Sequence, residues 1–212
     1  MSITIRPATP ADAHEAATLI YLAGADLFRF LFHEDPDESV YLIQDFFLSD
    51  IGVFNYHNAY VAVNEKDTIA GLIYCVDEPT QNRNEVEMRG LFPKHFGLLR
   101  TIQRLPRFLK LAQFTGTVHP HEFFVNHIAV FPTFRGQGIA QQLLQFAEEE
   151  ALRRGLRYLG LYVDFDNDPA RRVYERFGFE YIERIETQIK LTDSLFEGQD
   201  RMRKELPSPT HS

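Results

Sequence analysis

The sequence predicts an α/β fold on a mixed sheet, and three stretches carry that prediction. An apolar strand from Phe123 to Val130 runs into a short turn with Arg135, Gly136 and Gln137, and Gly138 then opens a helix to Arg154. The runs from Asn58 to Val63 and from Thr68 to Val76 are separated by the polar turn Asn64 to Asp67, the pattern of an antiparallel hairpin. Tyr158 to Val163 is largely apolar, as expected of a buried strand in a parallel pair.

The remaining elements follow in order. Ile3 and Ile5 alternate with polar residues, so the chain begins with a strand. Thr9 and Pro10 form a helix start, and Ala16, Leu19, Ile20, Ala23 and Leu27 keep helical spacing to about Phe32. Asp35 and Pro36 start a second helix carrying Val40, Ile43, Phe46 and Phe47. After the hairpin, Pro79 to Asn84 reads as a loop. Gly97 to Phe114 reads as helical, with Leu98, Ile102, Leu105, Leu109 and Ala112 on one stripe; Pro106 implies a kink or two short helices. In the strand 122–130, pleating sets Glu122, Phe124, Asn126, Ile128 and Val130 on one face, and Phe123, Val125, His127 and Ala129 on the other. A helix follows from Asp166 to Phe177, then a strand from Phe179 to Lys190, a hairpin loop over 191–200 and a short last strand over 201–206. These elements make one domain over 1–206, with a helical insertion at 78–120 and a loose tail at 207–212.

Composition narrows the function. The chain has 212 residues, is 44% hydrophobic and 25% charged, and has a net charge of −8, which argues against general nucleic-acid binding. Cys75 is the single cysteine, so neither a disulfide nor a cysteine metal cluster forms within the chain, and its place in an apolar strand marks a buried, inert thiol. His119 and His121 lack further ligands at a recognisable spacing, and no metal is expected. No signal peptide opens the chain and no apolar run approaches the length of a membrane span, so a soluble cytoplasmic protein without stable membrane insertion is expected. The charge is uneven. Between Glu87 and Glu122 lie Arg89, Lys94, Arg100, Arg104, Arg107 and Lys110 and no acid, leaving −14 for the rest. This insertion reads as a substrate lid, a basic pocket for an acidic acceptor, a membrane-surface or dimer contact, or simply a helix covering the sheet.

The turn at 135–140 is built to hold an anion. A glycine-containing turn feeding a helix offers unpaired N–H groups and the positive end of the helix dipole. It is neither a Walker loop, since no Gly-Lys-Ser/Thr follows, nor a Rossmann fingerprint, since Gln141 stands at the third glycine position. Arg135, Gly138 and Ala140 instead match the pyrophosphate signature Gln/Arg-x-x-Gly-x-Gly/Ala, and Asn167, Ala170, Tyr174 and Phe177 to Phe179 follow in register. The chain resembles the GCN5-related N-acetyltransferase (GNAT) superfamily from residue 2 to about 206, most specifically over 126–179.

That resemblance implies a mostly antiparallel seven-stranded sheet, splayed between strands four and five, with helices on both faces. It implies an acetyl-CoA-dependent N-acetyltransferase acting on a primary amine by direct attack in a ternary complex. Arg135, Gly136, Gln137, Gly138, Ile139 and Ala140 would hold the diphosphate. Ile128 and Val130 would pair with pantetheine through their backbones, and the Val130 N–H would stabilise the oxyanion. Asn167 and Ala170 complete the cofactor side, with Asn167 bonding the pantetheine arm. Tyr174 falls on the general-acid position, where a phenol protonates the departing thiolate. For the base, Glu122 ranks first, and Asn126 can position a water or the amine. His127 and His121 have suitable chemistry but the wrong parity unless a bulge turns them. Phe28, Phe30, Phe32, Phe46 and Phe47 are candidates for an acceptor pocket or for plain core. The acceptor is a small-molecule or peptide amine, and the basic insertion favours an anionic one. A homodimer fits the family habit. The alternatives are a CoA-binding sensor without catalysis and an acyltransferase using a longer acyl-CoA.

Overall fold

The computed structural model describes residues 2–32, 35–112, 117–190 and 195–207, with backbone alone for Arg100, Leu111 and Ala112. The chain opens with β1 (Ile3–Pro7) and a 3₁₀ turn over 10–12. The first helical stretch divides into α1 (Ala13–Ala23) and α2 (Ala25–Leu31), because Gly24 leaves the helical region at φ −158° and ψ 46°. The Asp35 side chain accepts from the Asp37 N–H at 2.8 Å and caps α3 (Pro36–Leu48). Between β2 (Ala59–Asn64) and β3 (Ile69–Asp77), the Asn64 side chain closes the turn by accepting from the N–H groups of Lys66 and Thr68.

The insertion departs from expectation at its start. Residues 79–84 are not a loop but the opening of α4 (Glu78–Phe96). Asp77 caps this helix by accepting from the Thr80 N–H at 3.0 Å, and Pro79 fits the first turn, where its missing N–H is not needed. Gly97, at φ 73°, separates α4 from α5 (Leu98–Ala112), which runs unbroken through an exposed Pro106. Gln113 and Phe114, the expected helix end, lie outside the described residues.

Then come β4 (Glu122–Val130), α6 (Ile139–Arg153), β5 (Tyr158–Asp164), α7 (Asp168–Phe177), β6 (Glu180–Lys190) and β7 (Leu195–Glu205). The last strand is longer than expected: residues 195–200 pair with β6 rather than forming a loop, while 191–194 and the tail beyond Pro207 lie outside the described residues. The seven strands form one sheet in the order β1-β2-β3-β4-β5-β7-β6, with β4 and β5 parallel and every other pair antiparallel. The helices α1 to α4 and α5's Phe108 pack on one face, around Ile20, Phe46, Leu72, Tyr74 and Phe124. On the other face, α6 and α7 cover Ile73, Phe123, Leu143, Leu161 and Tyr174.

One buried ion pair fixes the lower half of the parallel seam. Glu122, fully buried at the start of β4, receives Arg201 of β7 at 2.7 and 2.8 Å, across the intervening β5. The His119 N–H also donates to Glu122, and Arg201 donates to the Thr117 carbonyl and the Tyr162 hydroxyl. Removing one partner leaves the other charged and buried. Glu122→Gln is therefore expected to lower unfolding free energy by about 3–5 kcal/mol in urea denaturation, whereas a loss under about 1 kcal/mol would mean that the pair is solvated.

Candidate active site

The site begins with an extra residue in β4. Tyr74 stands opposite His127 and Cys75 opposite Val125, so Asn126 has no partner and forms a β-bulge. The bulge reverses the expected parity beyond it. His127 and Ala129 turn to the face of α1 and α2, with Phe124, while Ile128 and Val130 turn to the face of α6. Before the bulge, Glu122 to Val125 pair with Tyr158 to Leu161; after it, no pairing with β5 is present among the described residues. The two strands thus splay apart, as the family resemblance implies.

The backbone of the open half of β4 faces this gap. The Phe131 N–H donates to the Ala70 carbonyl at 2.9 Å, which fixes Ala70 and Phe131 as a hydrogen-bonded pair. Antiparallel pairs alternate, so the main-chain groups of His127 and Ala129 also point at β3, and those of Ile128 and Val130 point away from it. The Val130 carbonyl confirms this direction, because it accepts from Arg135 Nε at 3.2 Å.

Above the gap, Gly136 and Gly138 both have φ 76°, the left-handed region that glycine enters without strain. A Cβ at either position would meet nothing within 4 Å, so backbone conformation rather than crowding demands glycine there. Gly138 is the N-cap of α6 and has no side chain to cap it, and the first turn contains no acid. The N–H groups of Ile139, Ala140 and Gln141 accordingly lack intrahelical acceptors, and the dipole adds positive potential. Arg135 supplies a cation beside this turn. These features fit a diphosphate. A groove of about 530 Å³ also touches Gly138, but its other walls are Ile3 and Ile5 of the edge strand β1 and the side of α6.

On the α7 side, Asn167 caps the helix, its Oδ1 accepting from the Ala170 N–H at 3.2 Å. This leaves its amide N–H₂ as the group for a ligand. Tyr174 is buried against Phe179, and desolvation, followed by the charge of Asp164, pushes its phenol up to about 12. It therefore stays protonated at neutral pH. Arg171 is committed to Asp200 at 2.6 Å rather than extended toward a phosphate.

The face of the gap toward α1 and α2 holds different groups from those ranked by sequence. Glu122 belongs to the Arg201 ion pair on the closed half of the seam and presents no carboxylate to the gap. Asn126 is the bulge residue itself, half-buried. His127, set aside for parity, is turned onto this face by the bulge. Its ring stacks on Phe28 at 5.8 Å and meets Phe54 edge-on at 5.3 Å. Burial alone lowers its pKa from 6.5 to about 4, and its Nδ1 has no hydrogen-bond partner among the described residues. Asp164, which sequence reasoning missed, ends β5 at the gap and accepts from Gln199 Nε2 at 2.8 Å. Burial, and then the charges of Asp166 and Asp26, raise its pKa against that hydrogen bond. The signal was an acid closing an otherwise apolar strand just before Asn167. Of the phenylalanines, Phe32, Phe46 and Phe47 are buried core, and Phe28 alone stacks on a site residue.

The site is thus a splayed parallel seam beside an uncapped helix start. The family model for the acetyltransferase (GNAT) family matches residues 24–179, and the chain belongs to that family of acyltransferases. An acetyltransferase of Agrobacterium fabrum is 49% identical over 59 residues, a match that spans 28% of this chain and 42% of the relative. An acetyltransferase crystal structure superposes with a TM-score of 0.66 at 24% identity, covering 96% of this chain and all of that one. An N-acetyltransferase from Staphylococcus aureus gives 0.67 at 19% identity, covering 94% of this chain and 99% of its own. These two likenesses concern the fold.

The position of His127 predicts a pH effect on stability. Its folded pKa lies below its unfolded one, so the unfolded chain binds the proton more readily. The stabilisation is complete above the unfolded value and is lost as pH falls toward the folded one. Between pH 7 and pH 4 the native protein should lose about 3 kcal/mol more stability than His127→Leu, as read by urea denaturation. Parallel pH profiles for the two proteins would show that the imidazole is solvated.

Proposed function

We propose that the protein transfers an acetyl group from acetyl-CoA to a primary amine by direct attack within a ternary complex. The observation that carries this reading is the β4–β5 gap, lined by the backbones of Ile128 and Val130 and adjoining the glycine turn at 136–138. Acetyl-CoA supplies an acyl group activated as a thioester. The turn and α6 N-terminus, through Arg135 to Ala140, bind its diphosphate. Ile128 and Val130 pair with the pantetheine arm as a neighbouring strand would, and the Val130 N–H is the donor for the acyl oxygen. Asn167 orients the same arm through its amide, next to Ala170.

Proton handling divides between the two faces of the sheet. Tyr174, on the face of α6 and α7, donates to the leaving sulfur. A phenol near 12 is a weak acid for a thiolate of ordinary pKa, about 8.5. A thiolate released into the same desolvated gap is itself raised, which narrows the mismatch. On the opposite face, where α2 lies, the amine enters. His127 is neutral at physiological pH and can accept a hydrogen bond from the amine, but with a pKa near 4 it is too weak a base to keep the proton, which leaves to solvent water. Asn126, at the bulge, positions the amine. Arg104 and Arg107 do not line an anion pocket, since they donate to the Phe32 and Phe30 carbonyls. The acceptor class therefore rests on the gap rather than on the basic insertion. Residues 1–206 act as a single catalytic domain.

Calorimetric titration with acetyl-CoA, followed by an amine screen that reads free thiol, tests the reading. Binding with turnover is expected; binding without turnover on any amine would favour a sensor. Tyr174→Phe should lower kcat by about 10²–10⁴-fold with acetyl-CoA affinity little changed, and lost affinity would instead make Tyr174 a packing residue.

A further inference from the structure

The amphipathic helix α5 is mounted with its apolar face outward. Leu98, Leu99, Ile102, Leu105 and Leu109 are between 49% and 71% exposed. The inward side carries cations instead. Arg104 donates to the Phe32 carbonyl at 2.8 Å and lies 4.5 Å over the Phe96 ring. Arg107 donates to the Phe30 carbonyl at 3.3 Å, and Phe108 packs on Phe92 with centroids 4.3 Å apart. The leucine stripe is thus left uncovered by any described part of the chain.

Two properties identify what covers it. The first is width. At about 100° per residue, Leu98, Ile102, Leu105 and Leu109 span about 60°, and Leu99 widens the face to about 120°, broader than a two-helix seam needs. The second is charge. Arg89, Lys94 and Lys110 are exposed on α4 and α5, and no acid occurs between Glu87 and Glu122 in a chain of net charge −8. A second copy of this surface would set cations against cations, whereas an anionic lipid surface complements them. We propose that α5 docks the protein on anionic membrane surfaces, with the leucine face in the headgroup boundary and the cations at lipid phosphates. At 15 residues α5 lies on the bilayer, and no helix among the described residues is long and apolar enough to cross it.

Vesicle co-sedimentation tests this with the full chain. Binding to vesicles of phosphatidylglycerol and phosphatidylcholine is expected, falling with added salt, with little binding to phosphatidylcholine alone. Ile102→Glu and Leu109→Glu, both at exposed positions, should each weaken binding at least about tenfold while leaving the thermal midpoint and acetyl-CoA titration unchanged. Absence of binding to the anionic vesicles, or equal binding by both variants, overturns the proposal. A dimer in vesicle-free solution that the same substitutions dissociate also overturns it, in favour of a second copy as the occupant.

Discussion

One guanidinium nitrogen of Arg201 donates to both Glu122 carboxylate oxygens and so holds β4, β5 and β7 together at the closed end of the sheet. It reaches across β5, and that strand makes room: a Cβ on Gly160 would collide with the Glu122 carboxylate. Such a pair is costly to desolvate, and a well-packed apolar replacement often matches it in stability. What it provides here is register. With Glu122 to Val125 locked against Tyr158 to Leu161, the bulge at Asn126 diverts only the far half of β4. The strand pair behaves as a hinge with one leaf fastened, and the gap opens at a defined residue.

From that constraint the site follows with few additional parts. The diverted half of β4 has one edge on β3, and its other edge has no strand partner among the described residues, so the main-chain groups of Ile128 and the Val130 N–H face the gap. Inside a protein, main-chain groups without a partner are rare unless they await one. The same bulge assigns side chains to faces. It turns His127 toward α2 and Ile128 and Val130 toward α6, the side of Tyr174. A single inserted residue therefore sets both the opening and which side chains face each side of it.

Most of the fold was legible because its signals are local. The glycine turn, the Asn64 turn and the apolar run at 158–163 each encode their geometry in neighbouring residues. The start of α4 was equally local, in Asp77 and Pro79, yet its polar composition looked like a loop. The errors with functional weight were nonlocal. No pattern in residues 122–130 announces a bulge, since the sequence alternates plausibly in either parity, and one residue's slip exchanges the faces. Glu122 looked available because Arg201 is 79 residues away in the chain. Asp164 went unnoticed because its meaning depends on where β5 parts from β4.

The insertion and the gap share α2. Arg104 and Arg107 place guanidinium groups on the last carbonyls of that helix, where the dipole is negative and the orphan acceptors need donors. Three residues before the α2 C-terminus, Phe28 stacks on His127. Any displacement of α5 therefore bears on the helix that packs on His127, through two hydrogen bonds and the Phe32, Phe92, Phe96 and Phe108 cluster. Inward-facing arginines explain how a helix with so strong an apolar side can present that side to solvent. Its polar side has specific partners on α2, and the leucines do not. The orientation of α5 is thus set by hydrogen bonding to the domain, which leaves its apolar surface uncovered by the described residues.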